Sequence, residues 1–181
     1  MKFVSFLAAL TVTSVAGFSA ITPGTKMPSV EVHPDFSPDK VDIAEYLKDK
    51  KAFVVGLPGA FTPTWSNRQI PGYLESQDAL KDAGIDEIVV YCVNDPAVMG
   101  AWGKDQGIED SMITFMADPT SELTKAVGME LTHEGPISLG LLGRCKRHAI
   151  YVVDGEVKGV AVAESEFDPA GDDFPEKTLG K

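Results

Sequence analysis

The chain has 181 residues, 44% of them hydrophobic, enough for one domain with a sizeable core. Its formal net charge of -11 argues against a nucleic-acid binder, which would carry a basic footprint, and against electrostatic attachment to anionic lipid. Two cysteines are too few for a disulfide scaffold, and His33, His133 and His148 are isolated, with no Cys/His spacing that suits a metal, so neither a metal nor a cofactor is expected.

The first segment, residues 1–20, differs from the rest. Lys2 supplies a positive start, Phe3 to Leu10 is mostly apolar, and small residues follow at Ser14, Ala16 and Gly17. This reads as a secretory signal peptide over 1–17, cleaved near Ala16 or Gly17, and its apolar run is too short to span a membrane. Secretion or the lumen of the secretory pathway is the simpler destination. The Phe18-led start after Gly17 also resembles the junction of two-part signals that lead to plastids, which makes the plastid the alternative. The domain follows at once, over 21–164, and a polar, turn-rich tail closes the chain over 165–181, with the acidic run Asp168 to Glu176 inside it.

Strand-like and helix-like patterns then alternate. Lys51 to Leu57 (KAFVVGL) is a short apolar run that reads as a buried strand. Pro58-Gly59 breaks it, and Thr62-Pro63 opens a helical segment, so the free N–H groups of the first turn gather around one point. Ser66 to Ala83 is helix-like, with Ile70, Tyr73, Leu74, Leu80 and Ala83 as its main apolar positions, and Pro71 inside it predicts a kink. Glu87 to Val93 (EIVVYCV) is apolar on both faces, as a central strand covered by helices would be. Asp95-Pro96 starts a helix with a capping residue before proline, and Asp118-Pro119 after the strand Met112 to Met116 repeats that start. Ala149 to Val153 and Val157 to Ala163 flank Asp154-Gly155, a hairpin signal. The order predicts an α/β fold, a mixed central sheet with helices on both faces.

Two cysteines remain to be placed. Cys92, inside EIVVYCV, reads as a buried structural residue. Cys145 lies between Arg144 and Lys146, where positive charge lowers a thiol pKa, so it is the candidate reactive thiol. The apolar, glycine-rich run Gly135 to Gly143 (GPISLGLLG) precedes it, and exposure of Leu139, Leu141 and Leu142 would mark a partner or homodimer surface.

Five ordered motifs carry a family resemblance: Ile21 to Pro28 (ITPGTKMP), Pro58 to Ser66 (PGAFTPTWS), Val93-Asn94-Asp95-Pro96 with Trp102-Gly103, Ala117-Asp118-Pro119-Thr120, and Lys146-Arg147 before the Asp154 to Lys158 hairpin. The chain resembles the type-five (plant type II) peroxiredoxins, a redoxin family. The resemblance implies a thioredoxin-like fold whose first segment is a short strand ending in proline. It implies a peroxidase that reduces hydrogen peroxide and alkyl hydroperoxides, with thioredoxin, glutaredoxin or glutathione as thiol donor and no cofactor. It also implies a pocket formed by Pro58, Gly59, Phe61 and Pro63, with Thr62 and Arg147 holding the peroxide oxygens, and a dimer contact near 135–143. The attacking cysteine of the family motif is Trp65 here. An indole has no proton titratable near neutral pH and forms no sulfenic acid, so the resemblance implies impaired chemistry. The alternative is a redoxin-fold protein that acts by binding, as a partner in a dimer.

Overall fold

The computed structural model describes residues 20–163. The expected leader (1–17) and tail (165–181) lie outside the described residues.

Five strands form the main sheet: β3 (Lys51–Gly56), β4 (Glu87–Cys92), β5 (Ile113–Ala117), β6 (His148–Val153) and β7 (Glu156–Val162). Their order is β5-β4-β3-β6-β7, with β3, β4 and β5 parallel and β6 and β7 antiparallel to their neighbours. This is the mixed sheet of a thioredoxin-like fold. The central strands carry valine, isoleucine and phenylalanine on both faces because both faces are covered. One face holds Phe53, Val55, Ile88 and Val90 against α2 (Ile70–Asp82) and α3 (Pro96–Gln106). The other holds Val54, Val89, Tyr91 and Ile150 with Ile43 of α1 (Ile43–Tyr46) and Leu123 of α4 (Glu122–Ala126).

The expected hairpin is present. Asp154 and Gly155 both have positive φ, 50° and 70°, which suits a two-residue turn whose twist matches the strands. Asp95 caps α3 by accepting from the Val98 N–H, with Pro96 at the first position.

Four local details depart from or add to what the pattern suggests. The helix after the loop is not uniformly α-helical before Pro71. Its first turn, Trp65–Gln69, is π-helical, and Ile70 donates to the Trp65 carbonyl five residues back. Pro71 follows directly, as the second residue of α2, so the π-turn stands where the helical backbone meets a residue with no N–H. Asp118 does not sit directly before a helix either. A turn intervenes, Ser121 takes a left-handed φ of 60°, and the buried Asp118 carboxylate accepts from the N–H groups of Leu123 and Thr124 from outside α4. The opening at 21–28 forms one isolated bridge, Lys26 with Glu156, rather than a strand. Finally, the 135–143 run contains a helical turn, α5 (Glu134–Ser138). A small hairpin of β1 (Glu31–Val32) and β2 (Val41–Asp42) was not signalled by alternation, being two residues per strand.

Candidate active site

The carboxyl ends of β3 and β4 and the start of β6 meet at one end of the sheet, since Gly56 pairs with Tyr91 on one side and His148 on the other. Crevices at such ends are where open α/β sheets bind ligands. The loop 57–62 leaves β3 here. Phe61 takes a left-handed φ of 57°, a conformation that costs a non-glycine residue roughly 1–2 kcal/mol and turns the chain into the helix. Thr62 Oγ1 donates to the Gly59 carbonyl at 2.8 Å, closing the loop on itself. Helical backbone starts at Pro63, and the Thr62 carbonyl accepts from the Ser66 N–H at 3.1 Å. The helix start expected at Thr62-Pro63 is therefore where the sequence put it.

The loop is clamped from two further segments. Asn94 Oδ1 accepts from the Ala60 N–H at 3.1 Å and from Arg144 Nη1 at 2.7 Å, and Arg144 Nη1 also reaches the Pro58 carbonyl at 3.4 Å. A Cβ at Gly59 would come within 2.9 Å of Arg144 Nη1, so this glycine makes room for the clamp. Sequence reading missed Asn94 and Arg144 as site residues. Asn94 lies inside a quoted motif and Arg144 just before another, but only the fold shows that they meet.

Trp65 projects into the core end of this site and is 5% exposed. Arg147, 3% exposed, lies under it with its guanidinium carbon 5.6 Å from the indole centroid. That separation is within cation–π range. Arg147 Nη1 donates to Gln69 Oε1 at 3.2 Å. Gln69 is itself buried, and the π-turn is what carries it, one turn after Trp65, to the guanidinium. Tyr73 comes next along α2. Burial pushes its phenol up to about 12, with Gln69 and Arg147 acting in the opposite direction. Ser66 faces away and accepts from the Trp102 indole N–H at 2.9 Å, tying the turn to α3. Trp65, Gln69 and Arg147 therefore meet in one place, and Thr62 lies three residues before Trp65 on the same loop-to-helix segment. Phe61 is half exposed at its rim.

Cys145 does not lie in the activating environment that its flanking charges suggest. It is fully buried, its Sγ donates to the Leu57 carbonyl at 3.0 Å, and burial raises its thiol well above the usual range. Arg144 lowers it only slightly because that guanidinium is turned toward Asn94. Cys92 is buried as expected, on the opposite face of the sheet, and burial pushes its thiol up as well. Among the described residues no cluster of His, Cys, Asp and Glu is arranged to hold a metal.

The model of the Redoxin family matches residues 22–174. Peroxiredoxin-2B of Arabidopsis thaliana is 43% identical over 116 residues, 64% of this chain and 68% of that protein. The chain belongs to the peroxiredoxin family. Among longer relatives, peroxiredoxin-2E-2 of rice, named as chloroplastic, is 38% identical over 125 residues, which is 68% of this chain and 55% of that protein. Among solved structures, reduced Prx3 of Vibrio vulnificus in complex with hydrogen peroxide superposes with a TM-score of 0.71 at 34% identity, covering 80% of this chain and 91% of that one. Peroxiredoxin 5 of Alvinella pompejana gives 0.70 at 34% identity over 80% and 90%. The peroxiredoxin fold is thus present.

Proposed function

We propose that this peroxiredoxin belongs to peroxide metabolism but has lost the nucleophilic step, because Trp65 stands at the position of the attacking cysteine. Its relatives' chemistry is reduction of hydrogen peroxide and alkyl hydroperoxides by a thiol donor such as thioredoxin, glutaredoxin or glutathione. The observation that carries the reading is the packing of Trp65 on Arg147. The indole centroid lies 5.6 Å from the guanidinium carbon, beside the group that in the family serves a peroxide oxygen, and both thiols elsewhere are buried. The electrostatic half of an oxyanion-type site remains: Arg147, a hydroxyl at Thr62 and a helix start. The chain therefore acts by binding rather than turnover. Ile137, Leu139 and Leu142 are 44%, 78% and 67% exposed, an apolar set that supports a homodimer or a pairing with an active relative.

For location, we propose a redoxin unit over 21–164 entered into the secretory pathway by residues 1–17 and delivered onward to a plastid. The chloroplastic name of the rice relative peroxiredoxin-2E-2 supports the second step. A fluorescent fusion retained in a reticular or secreted pool would overturn it.

The deciding experiment is peroxide consumption by the purified protein with each thiol donor. Consumption is expected at the buffer rate, and unchanged by Cys145→Ser. Turnover that Cys145→Ser abolishes would mean that the nucleophile is Cys145 and the reading is wrong. Trp65→Cys is expected to bring peroxide reactivity back.

A further inference from the structure

His148 is the first residue of β6, and its neighbour Arg147 lies on the opposite face of the sheet. The imidazole is fully buried on the face of Tyr91, while Arg147 points to Trp65. Two contacts pin the ring. Nδ1 lies 2.8 Å from the Lys146 carbonyl, which can only accept, so Nδ1 carries the hydrogen. Nε2 is then the lone-pair nitrogen and accepts from the Tyr91 hydroxyl at 3.2 Å. The first bond runs from residue 148 back to residue 146 and so brackets Arg147 between its two ends. The ring also lies over the backbone of Gly56, where a Cβ would come within 2.1 Å of Cε1. Gly56 is the last residue of β3 before the loop that carries Thr62. One imidazole therefore touches both segments that build the site.

We propose that neutral His148 is the positioning residue of this site: wedged over Gly56 and bonded to Tyr91 and the Lys146 carbonyl, it fixes Arg147 beneath Trp65, and protonating it releases Arg147. The groups around the ring disfavour a charge on it. From β4 comes Tyr91, from its own segment Cys145, from β3 only Gly56, and from β7 Val162. Behind Tyr91 lie Thr124 and the Asp118 carboxylate to which the Thr124 hydroxyl donates at 2.8 Å. A proton on Nε2 would face the Tyr91 oxygen, whose own hydrogen would have to turn away, and a buried charge would face no carboxylate. Burial accordingly lowers the imidazole to about 4, with the Lys146 carbonyl acting the other way. The sign follows: a depressed histidine contributes stability in full above its unfolded value of roughly 6.5, and that stability is lost as pH falls through 4. The inference concerns the placement of Arg147 and does not depend on the peroxide chemistry proposed above.

The test uses the whole chain labelled with 15N-tryptophan. Its two indole N–H resonances, Trp65 and Trp102, are assigned with Trp65→Phe and followed from pH 7.5 to 3.5 beside the Cε1–H signal of His148. The Trp65 resonance is expected to shift together with His148, and to lose that step in His148→Phe. A Trp65 resonance that stays fixed while His148 titrates, or that moves identically in His148→Phe, would overturn the proposal. If His148→Phe fails to fold, Tyr91→Phe decides. It removes a bond that favours the neutral ring, so the common midpoint should rise by about half to one pH unit. An unchanged midpoint would overturn the proposal equally.

Discussion

Trp65 shows how much a single side chain decides here. The indole sits on a π-turn beside a guanidinium that Gln69 bonds, and these contacts are expected to persist if it is shortened. Trp65→Cys should place a thiol at a helix start beside Arg147, and its pKa should fall below about 8.5 by one unit or more. The loss of ring volume should cost about 2–5 kcal/mol, so the variant must first be shown to fold. Peroxide should then give a sulfenic acid that a dimedone-type probe captures. Both native thiols are buried, so that acid should wait for an external thiol and over-oxidise under excess peroxide. A folded variant whose thiol titrates like free cysteine would show that Arg147 and the loop no longer form a working pocket. Cys145 teaches the converse. Its flanking charges in the sequence promised activation, but adjacent residues in an extended chain point to opposite sides, so Arg144 bonds Asn94 while Cys145 enters the core.

Among the elements, those with strong periodicity or caps could be read directly: β3, β4, the Asp95-capped α3 and the Asp154-Gly155 hairpin. Those set by tertiary contact could not. The π-turn at 65–69 arises where helical backbone from Pro63 must meet a second proline at 71, and no residue pattern marks that compromise. The short helix α4 starts beyond its apparent cap because Asp118 reaches its N–H groups from a distance. At the opposite end of the sheet from the site, Glu87 opens β4 and accepts from Tyr46 at 2.5 Å, Thr114 at 2.5 Å and Lys50 at 2.8 Å. Burial alone would raise this carboxyl, but the three donors outweigh it and hold it below its usual value. Its contribution is therefore complete above the unfolded carboxylate range and is lost as pH falls through the lowered value. Glu87→Gln should destabilise the fold by about 1–3 kcal/mol at pH 7, measured by urea unfolding, and by less at pH 3. An equal loss at both pH values would exclude the charge as the cause.

At the scale of the whole molecule, the fold class followed from motif order. The contact of Trp65 with Arg147 is long-range, and the bracket formed by His148 turns on which way each side chain leaves the strand; neither appears in any linear pattern. The surface keeps another feature that the sequence only hinted at, the exposed leucines around α5. If these form a homodimer contact, sedimentation should give a dimer that Leu139→Glu with Leu142→Glu converts to a monomer, with the fold intact by circular dichroism. A protein that is monomeric before the change would exclude self-association through this surface.

The accommodation of Trp65 also bears on descent. The tryptophan codon differs from each cysteine codon in its third base alone, so on the proposed reading a reactive ancestor and this chain are neighbours in mutational space. An indole that clashed with its surroundings would have drawn compensating changes in Thr62, Gln69 or Arg147 and closed the way back. Here the indole is absorbed by an intact setting. Reversion therefore remains one step away for any lineage that carries this gene, and sister sequences divided between Trp and Cys at this one position are the expected signature.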